Sequence, residues 1–301
     1  MPQNYIVCIQ GPTATGKSDL ALYLAKHFDS EIISADSRQF YKEMTIGTAK
    51  PVKDELQNIR HHFIDFISVF DKYSAFYFEQ QSLVVISSML QKGKLPIIVG
   101  GSGLYIDAII KGFNTIPDVD FELRKQLVDE YHQSGLDSML LKLEWLDPEY
   151  YQKVDRSNPR RVLRALEVCI GSCIPYSKFL DKPKTKRSFK TIRIGISYPP
   201  DELYNLINQR CDSMLKNGLI DEVRSLIELK HLSALQTIGY REFFPYFNND
   251  ISIDYAIEKF KQHSRNFAKK QMSWLRRDKD INWFIPPDKK LILDYISKCL
   301  S

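Results

Sequence analysis

The chain of 301 residues has few cysteines and no long hydrophobic run, and each of these absences excludes a class of protein or a kind of site. No C-x-x-C spacing occurs among its five cysteines, so neither a disulfide framework nor a zinc site is predicted. No apolar stretch is long enough to cross a bilayer and no signal-peptide pattern is present. We therefore expect a cytoplasmic protein without a membrane partner, and its 44% hydrophobic and 26% charged residues are ordinary for a globular protein.

Acidic residues are scarce in the second half of the chain. Residues 1–150 contain 14 Lys and Arg against 20 Asp and Glu, whereas residues 151–301 contain 28 against 17. A basic half with a balance of +11 is typical of nucleic-acid binding. A solvated basic surface is the alternative that charge alone leaves open.

A glycine-rich loop of the P-loop type follows the first apolar run and precedes a helical pattern. Backbone N–H groups of such a loop and of the next helix bind phosphate oxygens. The lysine adds positive charge, and the serine hydroxyl can bind Mg²⁺ as a cofactor. The pattern therefore predicts a diphosphate or triphosphate site with Ser18 as the metal ligand. The loop residues are Gly11, Pro12, Thr13, Ala14, Thr15, Gly16, Lys17 and Ser18.

Short apolar runs alternate with helical patterns over the first hundred residues. Strands are predicted at 5–9, 31–34 and 95–99, with helices at 17–27 and 75–92 between them. This β-α-β-α-β order indicates an α/β fold of the P-loop NTPase-like kind, a parallel sheet with helices on both faces. Ligands bind such sheets at the carboxyl ends of the strands.

Two further features follow predicted strands and are expected in the same crevice as the P-loop. Asp36 is either a helix cap or turn residue, or a catalytic carboxylate that accepts a proton from an attacking group. The glycines at 100–103 either form a tight turn or let the backbone approach a ligand closely. In the second case the Ser102 hydroxyl faces the crevice.

The pattern becomes helical after Gly112, which predicts a helical insertion. We expect an α/β core of residues 1–112 and 190–301, with a helical insert at 113–189. The predicted elements are helices at 121–134, 138–145 and 159–170, a linker at 182–187, a strand at 191–196 and helices from Asp201 onward.

Two predicted helices carry basic residues at helical spacing. In the 159–170 helix, Arg160, Arg164 and Glu167 share one face, and an apolar face is predicted to contain Val162, Leu166, Cys169 and Ile170. The second helix bears a basic stripe with Trp274 alongside. Such a stripe can follow a phosphate backbone and stack on a base, unless it is a charged surface helix with the tryptophan in the core. Its members are Lys261, Arg265, Lys269 and Arg276.

Taken together, these residues resemble the tRNA dimethylallyltransferases. The resemblance extends from about residue 5 to residue 285, and the segment 33–51 is its most specific part. The matching segments are GPTATGKS at 11–18, ISADSRQFYKEMTIGTAKP at 33–51, GGSGLY at 100–105, NPRRVLRALEV at 158–168, NGLIDEV at 217–223, QTIGYREF at 236–243 and FAKKQMSWLRR at 267–277.

The resemblance implies a reaction and a donor. A dimethylallyl group is transferred from dimethylallyl diphosphate to N6 of the adenosine 3′ of the tRNA anticodon, and the P-loop holds the donor diphosphate instead of ATP. A monomer that binds the anticodon stem-loop is expected. The C-terminal zinc finger of eukaryotic members is not in this sequence, so a bacterial-type member is expected.

The resemblance also implies residue roles. Asp36 matches the general base, and Lys17, Ser102 and Arg210 complete the catalytic set. The chain departs from the usual pattern at Glu43, Thr45 and Ser102, where the family has Gly, Asp and Thr. The implied tRNA contacts are Asp36, Ser37, Arg38, Gln39, Ser102, Arg124, Arg160, Arg161, Val162, Leu163, Arg164, Tyr240, Arg241, Lys269, Trp274 and Arg276.

Three other functions remain open from the sequence. A small-molecule or nucleoside kinase shares the P-loop, the aspartate after the second strand and the glycine-rich turn. An adenylate prenyltransferase acts on free nucleotides, which leaves the basic half unexplained. An RNA-binding NTP switch hydrolyses nucleotide and forms no prenylated product.

Overall fold

The computed structural model describes residues 4–112, 114, 116–117, 119–180 and 186–301. The chain divides into two compact units: Met1–Ile110 with Arg187–Ser301, and Lys111–Lys186. They are called unit 1 and unit 2 below. Within the predicted linker, Lys182–Thr185 lies outside the described residues, as do Thr115 and Asp118 of the loop that precedes the insert.

Unit 1 contains a parallel sheet of six strands in the order β3-β2-β4-β1-β5-β6. Val7 of the first strand lies opposite Ile97 on one neighbour and Ile192 on the other, and all neighbouring pairs are parallel. The strands are β1 (Tyr5–Gln10), β2 (Ile32–Ser34), β3 (His61–His62), β4 (Ile97–Gly100), β5 (Lys190–Ile196) and β6 (Asn282–Phe284).

The central strand β1 is apolar from Tyr5 to Ile9 because helices cover both faces of the sheet. Ile6 and Cys8 pack into one core, and Val7 and Ile9 pack into the other. All four side chains are fully buried. The P-loop NTPase-like α/β fold predicted from the sequence is confirmed.

The described residues also form thirteen helices and one 3-10 turn. They are α1 (Lys17–His27), α2 (Lys53–Asn58), α3 (Ala75–Gln91), α4 (Gly103–Lys111), α5 (Phe121–Leu146), α6 (Pro148–Lys153), α7 (Pro159–Ser172), α8 (Tyr176–Leu180), α9 (Pro200–Lys216), α10 (Leu219–Ser225), α11 (Phe244–Phe247), α12 (Ile253–Leu275) and α13 (Lys289–Leu300), with the turn at Ile227–Leu229. Of these helices, α9 to α12 share a core of their own beside the sheet region of unit 1.

The strands predicted from the sequence are all present, with ends that shift by at most two residues. The sequence prediction missed β3 and β6, which contain two and three residues at the two edges of the sheet. The expectation that the chain is only helical beyond Asp201 is therefore wrong. Strands this short give too few residues for a recognisable alternation of apolar and polar side chains.

Unit 2 is helical in its described residues, as the sequence predicts. Its core joins α5 and α7 through buried apolar residues that include Met139, Leu143, Val162 and Leu166. The break predicted near residue 135 is a kink inside α5, where Gly135 has a φ of 78°.

The predicted faces of α7 need correction at two positions. Glu167 is buried, and it forms ion pairs with Arg164 at 3.1 Å and Arg124 at 3.4 Å. Ile170, assigned to the apolar face, is 38% exposed. The two arginines neutralise the buried carboxylate, which explains how a charge is accommodated on a packed face.

Arg187 anchors the point where the chain returns to unit 1. Its guanidinium donates to the carbonyls of Ala108 and Ile109, each at 2.8 Å, and pairs with Glu79 at 2.5 Å. Only 10% of the Arg187 side chain is exposed. The predicted linker therefore ends in a fixed contact, because Arg187 binds the end of the helix from which the chain leaves unit 1.

Candidate active site

The P-loop connects β1 to α1, and two of its own side chains hold it by hydrogen bonds to its backbone. Thr15 Oγ1 donates to the Pro12 carbonyl at 2.9 Å. Lys17 Nζ donates to the same carbonyl at 2.5 Å. The lysine thus folds back over the loop, and its charge lies at the N-terminus of α1, where the helix dipole also favours anions.

Three charged groups meet beside this loop. Burial and, after it, the charge of Arg210 lower the pKa of Lys17 to about 7, although Asp36 opposes the shift. Burial also lowers the pKa of Arg210, again opposed by Asp36. Two enclosed cations against one carboxylate create a positive field that suits an anionic ligand.

A cavity of about 510 Å³, called the phosphate cavity here, lies beside these charges. It is lined by the P-loop from Thr13 to Ser18 and by Asp36, Lys50 and Arg210. Its cationic and polar wall is of the kind that binds phosphate groups.

A second cavity of about 270 Å³, called the side cavity, has a more apolar wall. Ile207, Cys211 and Met214 of α9 contribute to that wall. Asp36 and Arg210 line both cavities, so they lie where the two meet. A molecule in the side cavity can therefore approach a phosphate ligand beside a carboxylate.

Asp36 follows β2 and combines the two roles that the sequence left open. Its Oδ1 accepts a hydrogen bond from the backbone N–H of Arg38 at 2.9 Å, which is the contact of an Asx turn. The turn fixes the carboxylate at the end of the strand. The same side chain lines both cavities, so the turn contact does not remove it from the site.

Gln271 of α12 lies in the 267–277 segment that carries the resemblance, but the sequence reasoning missed its role at the P-loop. Its Oε1 accepts from the backbone N–H of Thr13 at 3.0 Å, and its Nε2 donates to the Gly101 carbonyl at 2.9 Å. A Cβ on Gly101 would be 2.3 Å from that nitrogen, so glycine leaves room for this side chain, and Gly101 also lines both cavities. A signal was present, because Gln271 lies on the buried stripe of α12 with Ser264 and Ala268.

The predicted tRNA contacts of unit 1 fall into exposed and buried groups. Ser37, Arg38 and Ser102 line the side cavity. Tyr240 is fully buried, and Gln39 is 9% exposed with its amide bonded to Ser34 and to backbone carbonyls. Tyr240 is therefore packed in the protein, whereas Gln39 also lines the phosphate cavity.

The basic stripe is exposed only at its C-terminal end, because Lys261 pairs with Asp212 and the half-buried Arg265 donates to the Asn208 side chain. Lys269 and Arg276 are on the surface, and Lys269 Nζ lies 5.3 Å from the centre of the Tyr204 ring. Trp274 is 40% exposed, so the alternative that places it in the core is wrong. Arg241 is 45% exposed and pairs with Glu242 at 2.9 Å.

In unit 2, the arginines predicted to contact tRNA differ in their surroundings. Arg160 and Arg161 are exposed at the start of α7, whereas Arg124 and Arg164 pair with the buried Glu167. Val162 is fully buried in the core of the unit, whereas Leu163 is 8% exposed and lines an open cavity together with Arg160. Both pack α7 into that core, and its first turn presents the two exposed arginines.

No group of three or more His, Cys, Asp or Glu side chains that could hold a metal ion occurs in the described part of the chain. Likewise, none of the described helices combines the length and apolar character needed to cross a membrane.

Comparison with known proteins identifies the family. Residues 39–278 match the family model described as IPP transferase. The chain is 47% identical over 299 residues to the tRNA dimethylallyltransferase of Christiangramia forsetii, covering 99% of each protein. It is 44% identical over 305 residues to that of Flavobacterium johnsoniae, again covering 99% of each.

Solved structures agree with this relationship. The full-length tRNA isopentenylpyrophosphate transferase of Bacillus halodurans superposes with a TM-score of 0.72 at 33% identity, covering 99% of this chain and 97% of that one. A eukaryotic dimethylallyltransferase acting on tRNA gives a TM-score of 0.83 at 27% identity, covering 98% and 80%. The curated relatives that the chain matches here are tRNA dimethylallyltransferases. The chain therefore belongs to the IPP transferase family.

Proposed function

We propose that this protein transfers a dimethylallyl group from dimethylallyl diphosphate to N6 of the adenosine 3′ of the anticodon in tRNA, releasing diphosphate. The observation that carries this proposal is the position of Asp36 and Arg210, which line both the phosphate cavity and the side cavity. A base and a cation at that junction suit a reaction in which a nucleophile loses a proton while an anion departs.

In the proposed complex the donor diphosphate occupies the phosphate cavity. The loop amides, Lys17 and Arg210 stabilise the charge that develops on the leaving diphosphate, as preorganised electrostatic groups do. The carbon–oxygen bond of the donor breaks, and its electron pair leaves with diphosphate. Because the carbon is allylic, it tolerates positive character as the bond opens.

The acceptor amine is a poor nucleophile because its lone pair is delocalised into the adenine ring. As the new nitrogen–carbon bond forms, the amine loses a proton, and Asp36 is the proposed base that takes it. The adenine must leave the base stack of the anticodon loop to reach Asp36, which costs on the order of a few kcal/mol. We assign the extruded adenine to the side cavity, where Ser37, Arg38 and Ser102 contribute polar groups.

A magnesium ion fits the residues of the phosphate cavity as a companion of the substrate. Ser18 is exposed at the first turn of α1 and lines this cavity. A single hydroxyl suits Mg²⁺, which commonly keeps several waters and takes its other ligands from phosphate oxygens. Bound there, it would neutralise diphosphate charge, and Lys17 and Arg210 supply the protein's own part of that effect.

For the tRNA we propose contacts from both units. Arg160 and Arg161 at the start of α7 and the exposed cations Lys269 and Arg276 of α12 are available to phosphates, and exposed Trp274 to a base. A monomer acting in the cytoplasm, where tRNA is found, suffices for this arrangement.

The decisive experiment compares donors with one acceptor. Purified protein is incubated with unmodified tRNA and Mg²⁺, together with either dimethylallyl diphosphate or ATP, and the digested nucleosides are analysed by mass spectrometry. We expect an adenosine heavier by one dimethylallyl group with the first donor only, and its absence with the Asp36→Asn variant.

The rival functions give different results in the same assay. A kinase phosphorylates a small acceptor from ATP, an adenylate prenyltransferase consumes AMP in preference to tRNA, and an NTP switch hydrolyses nucleotide without prenylation. Any of these outcomes, with no prenylated tRNA, would overturn the proposal.

A further inference from the structure

Glu222 of α10 accepts four hydrogen bonds from groups far away in the sequence. Its Oε2 accepts from the backbone N–H groups of Thr45 at 3.0 Å and Ile46 at 2.8 Å. Its Oε1 accepts from the N–H of Gly47 at 3.0 Å and from the Tyr240 hydroxyl at 2.6 Å. Each carboxylate oxygen thus has two donors, and one side chain joins α10 to two other segments.

The three consecutive N–H groups form a nest of the kind that binds anions. Here the anion is the protein's own carboxylate, and such charge-assisted hydrogen bonds are stronger than neutral ones. The nest closes against Tyr240, because a Cβ on Gly47 would be 2.5 Å from the Tyr240 ring. Glycine is therefore required at the point where the two segments touch.

The segments joined by Glu222 continue directly into the walls of both cavities. Gly47 and Thr48 line the side cavity, and Lys50 lines the phosphate cavity. Thr237 and Ile238, just before Tyr240, also line the side cavity. Glu222 itself is not among the described residues that line either cavity, so any effect on a substrate passes through these walls.

We infer that Glu222 is a positioning residue for the acceptor: it holds the turn at 45–47 and the segment 237–240 together as one wall of the side cavity. The inference rests on the proposed function, which assigns the adenine to that cavity. It also gives a single physical reason for three of the sequence motifs. The carboxylate of Glu222, in the motif at 217–223, accepts hydrogen bonds from the motifs at 33–51 and 236–243.

The test uses the full chain, with Glu222→Gln as the variant and Asp221→Asn as its matched control. The amide of glutamine has the same size but only one accepting atom, so it faces part of the nest with a donor. Asp221 is its neighbour on α10, is 81% exposed and pairs with Arg224 at 3.6 Å, so its change removes an equal charge without touching the nest.

We expect Glu222→Gln to raise the KM for tRNA at least tenfold and to leave the KM for dimethylallyl diphosphate within about twofold. Tyr240→Phe removes one donor and keeps the nest, so it should also raise the KM for tRNA, but by a smaller factor. Asp221→Asn should behave as the parent protein does.

An unchanged KM for tRNA in Glu222→Gln overturns the inference. So does an equal rise in both KM values with a fall in melting temperature, which would mean that Glu222 only stabilises the fold. If Glu222→Gln does not fold, Tyr240→Phe decides by the same comparison of KM values. Failure of the parent protein to prenylate tRNA would instead refute the proposed function, so the two failures are distinguishable.

Discussion

The side-chain oxygen of Gln271 accepts a hydrogen bond from the backbone N–H of Thr13 at 3.0 Å. The same amide donates to the Gly101 carbonyl at 2.9 Å. One residue of α12 thus links the P-loop to the turn after β4. Since α12 also carries the exposed Lys269 and Trp274, one helix connects the phosphate cavity to proposed tRNA contacts.

We expect Gln271→Leu to weaken donor binding about tenfold. The leucine keeps the volume but leaves the Thr13 N–H without its acceptor, and an unsatisfied buried donor costs about 1–3 kcal/mol. The KM for dimethylallyl diphosphate is the measurement. Gln262→Leu is the control, because Gln262 is exposed on the same helix and bonds only locally to Lys259 at 3.1 Å. Equal KM values for dimethylallyl diphosphate in Gln271→Leu and Gln262→Leu would contradict a role of Gln271 in holding the P-loop.

The Asp36→Asn variant should lower kcat by roughly 10²–10⁴-fold, the range for loss of a general base. Asparagine can still accept the turn hydrogen bond from the Arg38 N–H, so the loop should keep its shape. Donor affinity, measured by calorimetry, should therefore change little. A kcat close to that of the parent protein would exclude Asp36 as the base, and Asp36→Ala, which also loses the turn contact, should be no more active.

Donor binding should depend on pH through Lys17. Burial, aided by Arg210, lowers the pKa of this lysine to about 7, so the free protein loses the Lys17 charge as the pH rises above 7. A bound diphosphate favours the charged form, and binding above pH 7 must therefore take up a proton. We expect the association constant to fall by up to tenfold per pH unit between about pH 7 and 9.

Calorimetry in two buffers of different ionisation enthalpy measures that proton uptake directly. The Lys17→Ala variant should bind the donor more weakly and lose this component of the pH dependence. Unchanged donor affinity in Lys17→Ala would argue against the assignment of the loop to diphosphate.

The double variant Arg160→Ala with Arg164→Ala should bind tRNA more weakly and with a shallower salt dependence. Each phosphate contact that is removed should reduce the slope of log K against log salt by about 0.7–0.9. We expect most of the change to come from Arg160, because Arg164 pairs with buried Glu167. Filter binding across a salt series measures it, and Lys142→Ala in the same unit, which removes a partner of Glu130, is the control. Identical slopes would exclude α7 from the interface.

Features set by neighbouring residues could be predicted from the sequence, and features set by distant contacts could not. The P-loop is local, because its glycines, Lys17 and Ser18 follow one another between a strand and a helix. Gln271 acts on Thr13 across 258 positions, and no spacing rule connects them. Their meeting depends on the position of α12, which packs against α9.

The same limit applies to burial of charged residues. Helical spacing put Glu167 on the arginine face of α7, yet the structure buries it between Arg124 and Arg164. A period of 3.6 residues tells which side chains share a face. It does not tell which partner from another helix will neutralise a charge there.

The guanidinium of Arg187 fastens the returning chain to the carbonyls of Ala108 and Ile109, the same place from which the chain departs. The ends of the intervening segment are thus already joined, whatever its length. Because loop-closure entropy grows only slowly with loop length, a longer segment between these two points would lower the stability of the core only slightly. This is a site at which evolution can enlarge, trim or exchange a whole module while the catalytic sheet stays intact.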